Sequence, residues 1–289
     1  MKRTSTEHKS LPPAVVVIGL VSLLNDFASE MVTPLIPLLL VTVLAAGPVA
    51  LGLIEGLSDT MTNLLKLWVG RISDRAAMRR KPYVVGGYAL SNAVRPLMGL
   101  SASWLMVLAI RVTDRVGKGL RTAPRDAMIA DAVDRDMAGR AYGLTRAFDH
   151  AGAVLGALAA AAVVYWGTER LELVILFSAL PGLLAVLLIA FGVPEPARRY
   201  RAPAVAPPLA WSRLGGYTLR YCFAIGLFTL GRIPETFLLL RGHELGMDVV
   251  ELLLLWAAMH VVKSAVAESA GRLSARVGRR PVLLAGYML

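Results

Sequence analysis

Apolar segments of about 20 residues, parted by short arginine-rich runs, recur along this 289-residue chain, and that alternation restricts the fold more than any single motif. A helix of that length spans the hydrocarbon of a bilayer, roughly 30 Å. With glycine, proline and charge runs as punctuation, spans are predicted at about 12–42, 49–70, 82–101, 103–123, 139–166, 170–192, 214–240 and 248–271. A ninth starts at Pro281. The fold class is therefore an all-α, multi-pass membrane protein, and with 56% hydrophobic against 18% charged residues the chain is too apolar for a soluble domain. A net charge of +11 would point to nucleic acid in a soluble protein. Here the basic residues fall between apolar segments with few aromatics beside them, which argues against a nucleic-acid partner and for the lipid bilayer. Cys222 is the single cysteine, so no intrachain disulfide forms and no metal cluster is spelled out. Lys2, Arg3 and Lys9 before the apolar run mimic a secretory leader, but the small-residue cleavage site is missing, so this segment is expected to stay attached as the first span.

The basic residues also orient the chain. They crowd into the N-terminus and the connections 71–81, 121–140, 198–213 and 272–280, whereas the intervening connections hold only Arg170 and Arg241. The positive-inside rule places the rich side in the cytoplasm. The expectation is a cell (inner) membrane protein with a cytoplasmic N-terminus.

An internal repeat tests that segmentation. The stretch GRISDRAAMRRKPYVVGGYAL from Gly70 matches GRLSARVGRRPVLLAGYML from Gly271, down to the pairs Pro82 and Pro281, Gly87 and Gly286, Tyr88 and Tyr287. By this segmentation six spans separate the copies, an even number that returns both to one membrane side. A parallel repeat of a six-helix unit follows. The expected domains are a six-helix bundle over 1–193, a cytoplasmic linker rich in proline and arginine over 194–213, and a partial second bundle over 214–289 with two helices and the start of a third. Two such units need roughly 400 residues, so the expectation is a fragment or truncated product, with completion by another chain as the alternative.

These residues resemble the major facilitator superfamily of secondary transporters over essentially the whole chain. The loop after the second span resembles that family's motif A through Gly70, Asp74, Arg75, Arg79 and Arg80. The fourth span resembles motif B, usually R-x-x-Q-G-x-G-x-G, through Arg111, Asp114, Arg115, Gly117 and Gly119. Asp114 stands where the motif has Gln, and Arg115 where it has its first Gly. GAVLGALA from Gly152 matches the antiporter signature G-x-x-x-G-P only in part, since Ala157 replaces the proline. The resemblance implies the major facilitator fold, a drug-efflux-like activity by alternating access, a proton gradient in place of any cofactor, and a small organic solute as substrate. It also implies that Asp74 braces the outward-facing state against the other half. The second copy carries Ala275 there, so only the first half makes that clamp. A purely topogenic role for the motif A arginines is an equal reading.

The charges supply the candidate site. Along AIRVTDRVGKGLRTAPRD (109–126), Arg111, Asp114, Arg115, Lys118, Arg121 and Arg125 fall on one helical face of about 120°. Gly117 and Gly119 lie off that face and admit close helix neighbours. Lys118 to Arg125 are expected to emerge at the cytoplasmic leaflet and meet lipid phosphates, while Arg111 and Asp114 lie deeper and must face the bundle interior. In the first span Asp26 and Glu30 stack one turn apart beside Asn25. Like charges so placed need a cation or a proton, and Arg111 and Arg115 are the expected cations. Asp26, Glu30, Arg111, Asp114 and Arg115 then form a proton-coupling network, with a permanent structural ion pair as the bland alternative. Secondary candidates are Glu55, Asp59 and Lys66 in the second span, Arg95 in the third, and Arg146, Asp149 and His150 in the fifth. For Arg232 with Glu235 and His260 with Lys263, as for the sets in the second and fifth spans, an internally paired structural role and contact with substrate are equal readings. No intramembrane enzyme motif is present and the histidines are scattered, so no catalytic residue is assigned. The function expected is proton-coupled efflux. The alternatives are an organic-anion importer or facilitator, and a truncated membrane protein that does not transport. No obligate protein partner is implied.

Overall fold

The computed structural model describes residues 10–74, 79–167, 170–197 and 214–288. Its helices are α1 (Pro13–Val43), α2 (Pro48–Ser73), α3 (Lys81–Val94, extended by a 3-10 segment Arg95–Leu100), α4 (Trp104–Ala132), α5 (Ala138–Gly167) and α6 (Leu171–Gly192). The second half supplies α7 (Gly216–Leu230), α8 (Thr236–Glu244), α9 (Val249–Val277) and α10 (Arg279–Met288). Four of them, α1, α5, α6 and the Val249–Ala267 part of α9, are long and apolar enough to cross a membrane on length and composition alone. Among the others, α2, α3 with its 3-10 extension, and α4 carry charged side chains, Glu55, Arg95, Arg111 and Asp114, that neighbouring helices bury.

Local sequence explains the ends and bends. Proline occupies the first turn of α1, α2 and α3, where its missing N–H costs nothing. Pro34 and Pro37 loosen α1 beyond Val32 into a 3-10 turn and then a π segment, Leu39–Val43. Ser103 caps α4 by accepting from Met106 N at 3.3 Å. Asp248 and Glu251 form a reciprocal capping box at the start of α9, with bonds of 2.7 and 2.9 Å.

Three features depart from the predicted spans. The charged stretch 109–126 lies inside α4, which continues to Ala132, rather than at the end of a helix near residue 123. The predicted seventh span divides around Pro234 into α7 and α8, because a proline there cannot donate to the preceding turn. The ninth begins at Arg279, two residues before Pro281.

Small residues set the packing. A Cβ at Gly117 of α4 would lie 2.6 Å from the Gly87 carbonyl of α3, and one at Gly119 would lie 2.6 Å from Leu65 Cβ of α2. Gly152 and Gly156 of α5 sit against the carbonyls of Leu23 and Phe27 in α1. These glycines let backbones approach without side chains between them, the means by which helices associate where lipid supplies no hydrophobic drive. One core gathers the outer part of α1 with α2, α5, α8 and α9, and a second gathers the inner part of α1 with α3, α4 and α6. Trp68, Trp166, Leu180 and Phe191 stay at least 60% exposed, as lipid-facing side chains do.

The helix ends fix sidedness. A cavity of about 580 Å³ is bordered by Thr42 and Val43, by Val164, Arg170 and Glu172, and by Asp248 and Val249. The start of α9 therefore lies at the end of the bundle where α1 finishes and α2 begins. Both α2 and α9 run away from that end, so the two repeat copies after Gly70 and Gly271 arrive at the opposite end together. The linker residues 198–213 lie outside the described residues.

Replacing Gly152 with leucine drives a side chain into the Leu23 carbonyl. The expected result is a loss of about 1 to 3 kcal/mol, read as a lower unfolding temperature in detergent, whereas Gly139→Leu, with open space around it, leaves that temperature unchanged.

Candidate functional site

α4 carries the site, and each buried charge on it is met by a different helix. Arg95 is 2% exposed and donates from Nη2 to Asp114 Oδ1 at 3.0 Å. Its Nη1 donates to Asn92 Oδ1 at 2.9 Å and reaches the Asn25 carbonyl at 3.5 Å. Asn92 in turn donates to Asn25 Oδ1 at 3.2 Å. A polar knot thus ties α1, α3 and α4, with the buried Arg95 Nε alone of that guanidinium's nitrogens left unbonded.

Arg111 is 1% exposed and faces the other way, toward α2 and α1. Its Nη2 donates to Glu55 Oε1 at 3.4 Å, its Nη1 to Thr33 Oγ1 at 3.5 Å, and Asp114 Oδ2 stands 3.9 Å off. Asp114 therefore lies between two arginines, one on its own helix and one on α3. Thr62 of α2 donates to the Arg115 carbonyl at 3.4 Å, holding α2 and α4 in register one turn along.

Arg121 and Arg125 in the lower turns of α4, expected to meet lipid phosphates, are turned into the bundle instead. Arg121 is 6% exposed, bonds Ser91 Oγ at 2.6 Å and lies 4.6 Å from the Tyr88 ring centroid. Arg125 donates to Ser22 Oγ at 2.9 Å and pairs with Asp126 at 3.2 Å and Asp149 at 3.9 Å. Both are interior contacts between helices, since α4 continues another turn and more beyond them and α1, α3 and α5 cover this face. Asp149 also accepts from the exposed Arg146 at 3.3 Å, and His150 is half-buried beside it.

The expected pairing of the α1 acids with Arg111 and Arg115 needs correction. Among the described residues, no ion pair joins Asp26 or Glu30 to either arginine. The reason is rotational. Glu30 points across the bundle to the second half, accepting from Trp256 Nε1 at 2.9 Å, with His260 Nε2 at 3.5 Å. Asp26 accepts from Asn25 at 3.0 Å. Glu55, counted at first as secondary, takes the place they were given. On the second half the Trp256 and His260 rings meet edge to face at 5.4 Å, and Lys263 pairs with Glu235 while lying 5.5 Å from the Trp256 centroid. Arg232 adds a contact to Glu235 at 3.8 Å. Asp59 is exposed and Lys66 half-exposed, and neither is joined to Glu55.

At the end of the bundle bearing the arginine loops, Arg80 is buried, pairs with Asp131 of α4 and donates to the Ala127 carbonyl at 3.2 Å. The Glu195 carboxylate, beyond α6, accepts from the backbone N–H groups of Arg80 at 2.7 Å and Lys81 at 2.9 Å. A carboxylate on the first N–H groups of α3 is the favourable charge at a helix N-terminus. Gly70 lies in ordinary contact with Ala123, its carbonyl accepting from Asp74 N at 3.1 Å. Asp74 and Arg79 are exposed, and Arg75 lies outside the described residues. Asn92, Thr33, Asp131, Glu195 and Trp256 were not foreseen. Two had a signal: Asn92 precedes Arg95 by three residues on one face, and Glu195 is the single acid in the 193–213 stretch.

Comparison with known proteins agrees with this architecture. The family model described as Major Facilitator Superfamily matches residues 18–289. An uncharacterized MFS-type transporter of Methanocaldococcus jannaschii, MJ1317, is 30% identical over 295 aligned positions, covering 100% of this chain and 73% of that one. The multidrug resistance protein MdtH of Yersinia enterocolitica is 34% identical over 128 positions, covering 44% of this chain and 31% of its own. Among solved structures, a bacterial homolog of the human lysosomal transporter Spinster, inward-facing and unoccupied, superposes with a TM-score of 0.68 at 18% identity. That match covers 93% of this chain and 64% of the solved one, so this chain spans under two thirds of that protein's length.

Removing one partner of a buried pair leaves an uncompensated ion. Glu55→Leu is expected to cost about 3 to 5 kcal/mol by stranding Arg111, and Glu244→Leu, which frees an Arg241 that is 65% exposed, less than about 1 kcal/mol. Thermal unfolding of the two variants in one detergent checks the contrast.

Proposed function

The chain belongs to the Major Facilitator Superfamily, and from that membership we propose that the protein is a secondary active transporter moving a small organic solute by alternating access, with proton-coupled efflux as its direction. The bundle is a multi-pass membrane structure, and the reading places its N-terminus and arginine loops in the cytoplasm of a cell membrane. The partial similarity to MdtH supports efflux. No cofactor is needed, because the proton gradient drives the cycle.

One observation carries the coupling. Glu30 belongs to the first half and its partners Trp256 and His260 to the second, so the state of one carboxylate is tied to the contact between halves. Protonated, Glu30 loses the charge that faces His260 and accepts less strongly from the indole. The halves are then released to rock, the displacement alternating access requires. Asp26, held by Asn25 and by no cation among the described residues, is a second proton acceptor on the same helix. The deep pairs Arg95 with Asp114 and Arg111 with Glu55 stay closed in this scheme and keep the first half rigid.

In proteoliposomes holding a lumenal pH dye, some member of a panel of organic solutes is expected to move protons against its own flux in the wild-type protein. Glu30→Gln is expected to retain solute exchange while losing at least about tenfold in proton movement, and unaltered proton movement in that variant would falsify the coupling.

A further inference from the structure

α4 holds two cations whose side chains find no partner among the described residues. The Arg115 guanidinium and the Lys118 ammonium make no hydrogen bond and no ion pair there, although both residues are half-buried. The Arg115 Nε is fully enclosed and unbonded. Their position on the helix is informative. Asp114, Gly117 and Arg121 face α3, whereas Gly119 faces α2. Arg111, Arg115 and Lys118 follow at i, i+4 and i+7 between those two contacts, on the face turned toward α1. Arg111 at the head of that stripe touches Thr33 of α1, and Arg125 below it touches Ser22. Arg115 and Lys118 fall between the two, where α1 and α4 touch only sparingly and neither cation is bonded to α1.

Among the described residues the nearby acids form no ion pair with either cation. The carboxylates acting on Arg115 are Asp114, Glu55 and Asp59. Asp114 is held by Arg95 and Glu55 by Arg111, and Asp59 is exposed. Asp26 acts on Lys118 but is bonded to Asn25. Two positive charges with no ion pair among the described residues therefore sit together inside a low-dielectric bundle, an expensive arrangement unless an anion completes it. Arg115 also stands where the resembled motif has glycine.

We propose that Arg115 and Lys118 form the recognition site for the negatively charged group of the transported solute, which makes that solute an organic anion bearing a carboxylate or a phosphate. The planar guanidinium suits two oxygens of one group, and the ammonium, one turn on, takes a third. The assignment rests on the transport reading for its role in a cycle, but binding itself is independent of transport.

The experiment is calorimetric titration of the purified full chain in detergent with benzoate, phenyl phosphate and, as a cation of similar size, benzyltrimethylammonium. At least one anion is expected to bind and the ammonium not. Arg115→Gln and Lys118→Gln are each expected to weaken the anion about tenfold or more, Lys118→Arg to keep it, and the remote Arg241→Gln to change nothing. Size-exclusion profiles confirm that each variant is folded. Failure of both anions to bind, equal binding of the ammonium, or wild-type affinity in both glutamine variants overturns the site. Loss of proton-coupled flux with anion binding intact contradicts the transport reading alone.

Discussion

A guanidinium inside hydrocarbon persists only beside a counter-charge, and this constraint organises the first half of the molecule. Arg95 and Arg111 are among the largest fully buried side chains, and each finds its acid on another helix. Pairing thereby becomes assembly: Arg95 ties α3 to α4, Arg111 ties α4 to α2, Arg125 ties α4 to α1 and α5, and Arg80 ties the start of α3 to the end of α4. Isolated, each charge at the bilayer centre costs about 2.5 to 3.5 kcal/mol on insertion scales. Paired through hydrogen bonds, the same groups select one arrangement of helices among the many that apolar faces alone permit.

Glycines make those pairs reachable. A 3.0 to 3.4 Å contact between α3 or α2 and α4 requires the backbones to approach, and Gly87, Gly117 and Gly119 remove the side chains that would hold them apart. The ionic and steric patterns on α4 are therefore one device with two faces. On the front face the device is unfinished, with Arg115 and Lys118 left open, and on α1 a single carboxylate, Glu30, reaches over to the other half.

Much of this was legible beforehand. Twenty-residue apolar periods and alternating arginine loops give the helix order, and the glycine spacing in 117–119 gives the close approach, because each depends on residues local in sequence. The partners of the buried charges were not legible. Glu30 and Glu55 are both acids one helix away from Arg111, and which one meets it depends on how α1 and α2 are rotated, a quantity fixed by packing against α5 and α9. Arg95 had no local partner for the same reason, since Asp114 is brought to it by the α3–α4 crossing. The length of α4 was underestimated because charge was read as the membrane boundary, whereas these charges are covered by neighbouring helices.

The central claim is that Arg95 and Asp114 survive in the interior by neutralising each other. A double-mutant cycle with Arg95→Met and Asp114→Asn, followed by unfolding free energies in detergent, measures this directly. The account predicts that each single change costs about 3 kcal/mol or more and that the double variant costs no more than either, a coupling of at least about 2 kcal/mol. Additive losses, with coupling below about 0.5 kcal/mol, would contradict it.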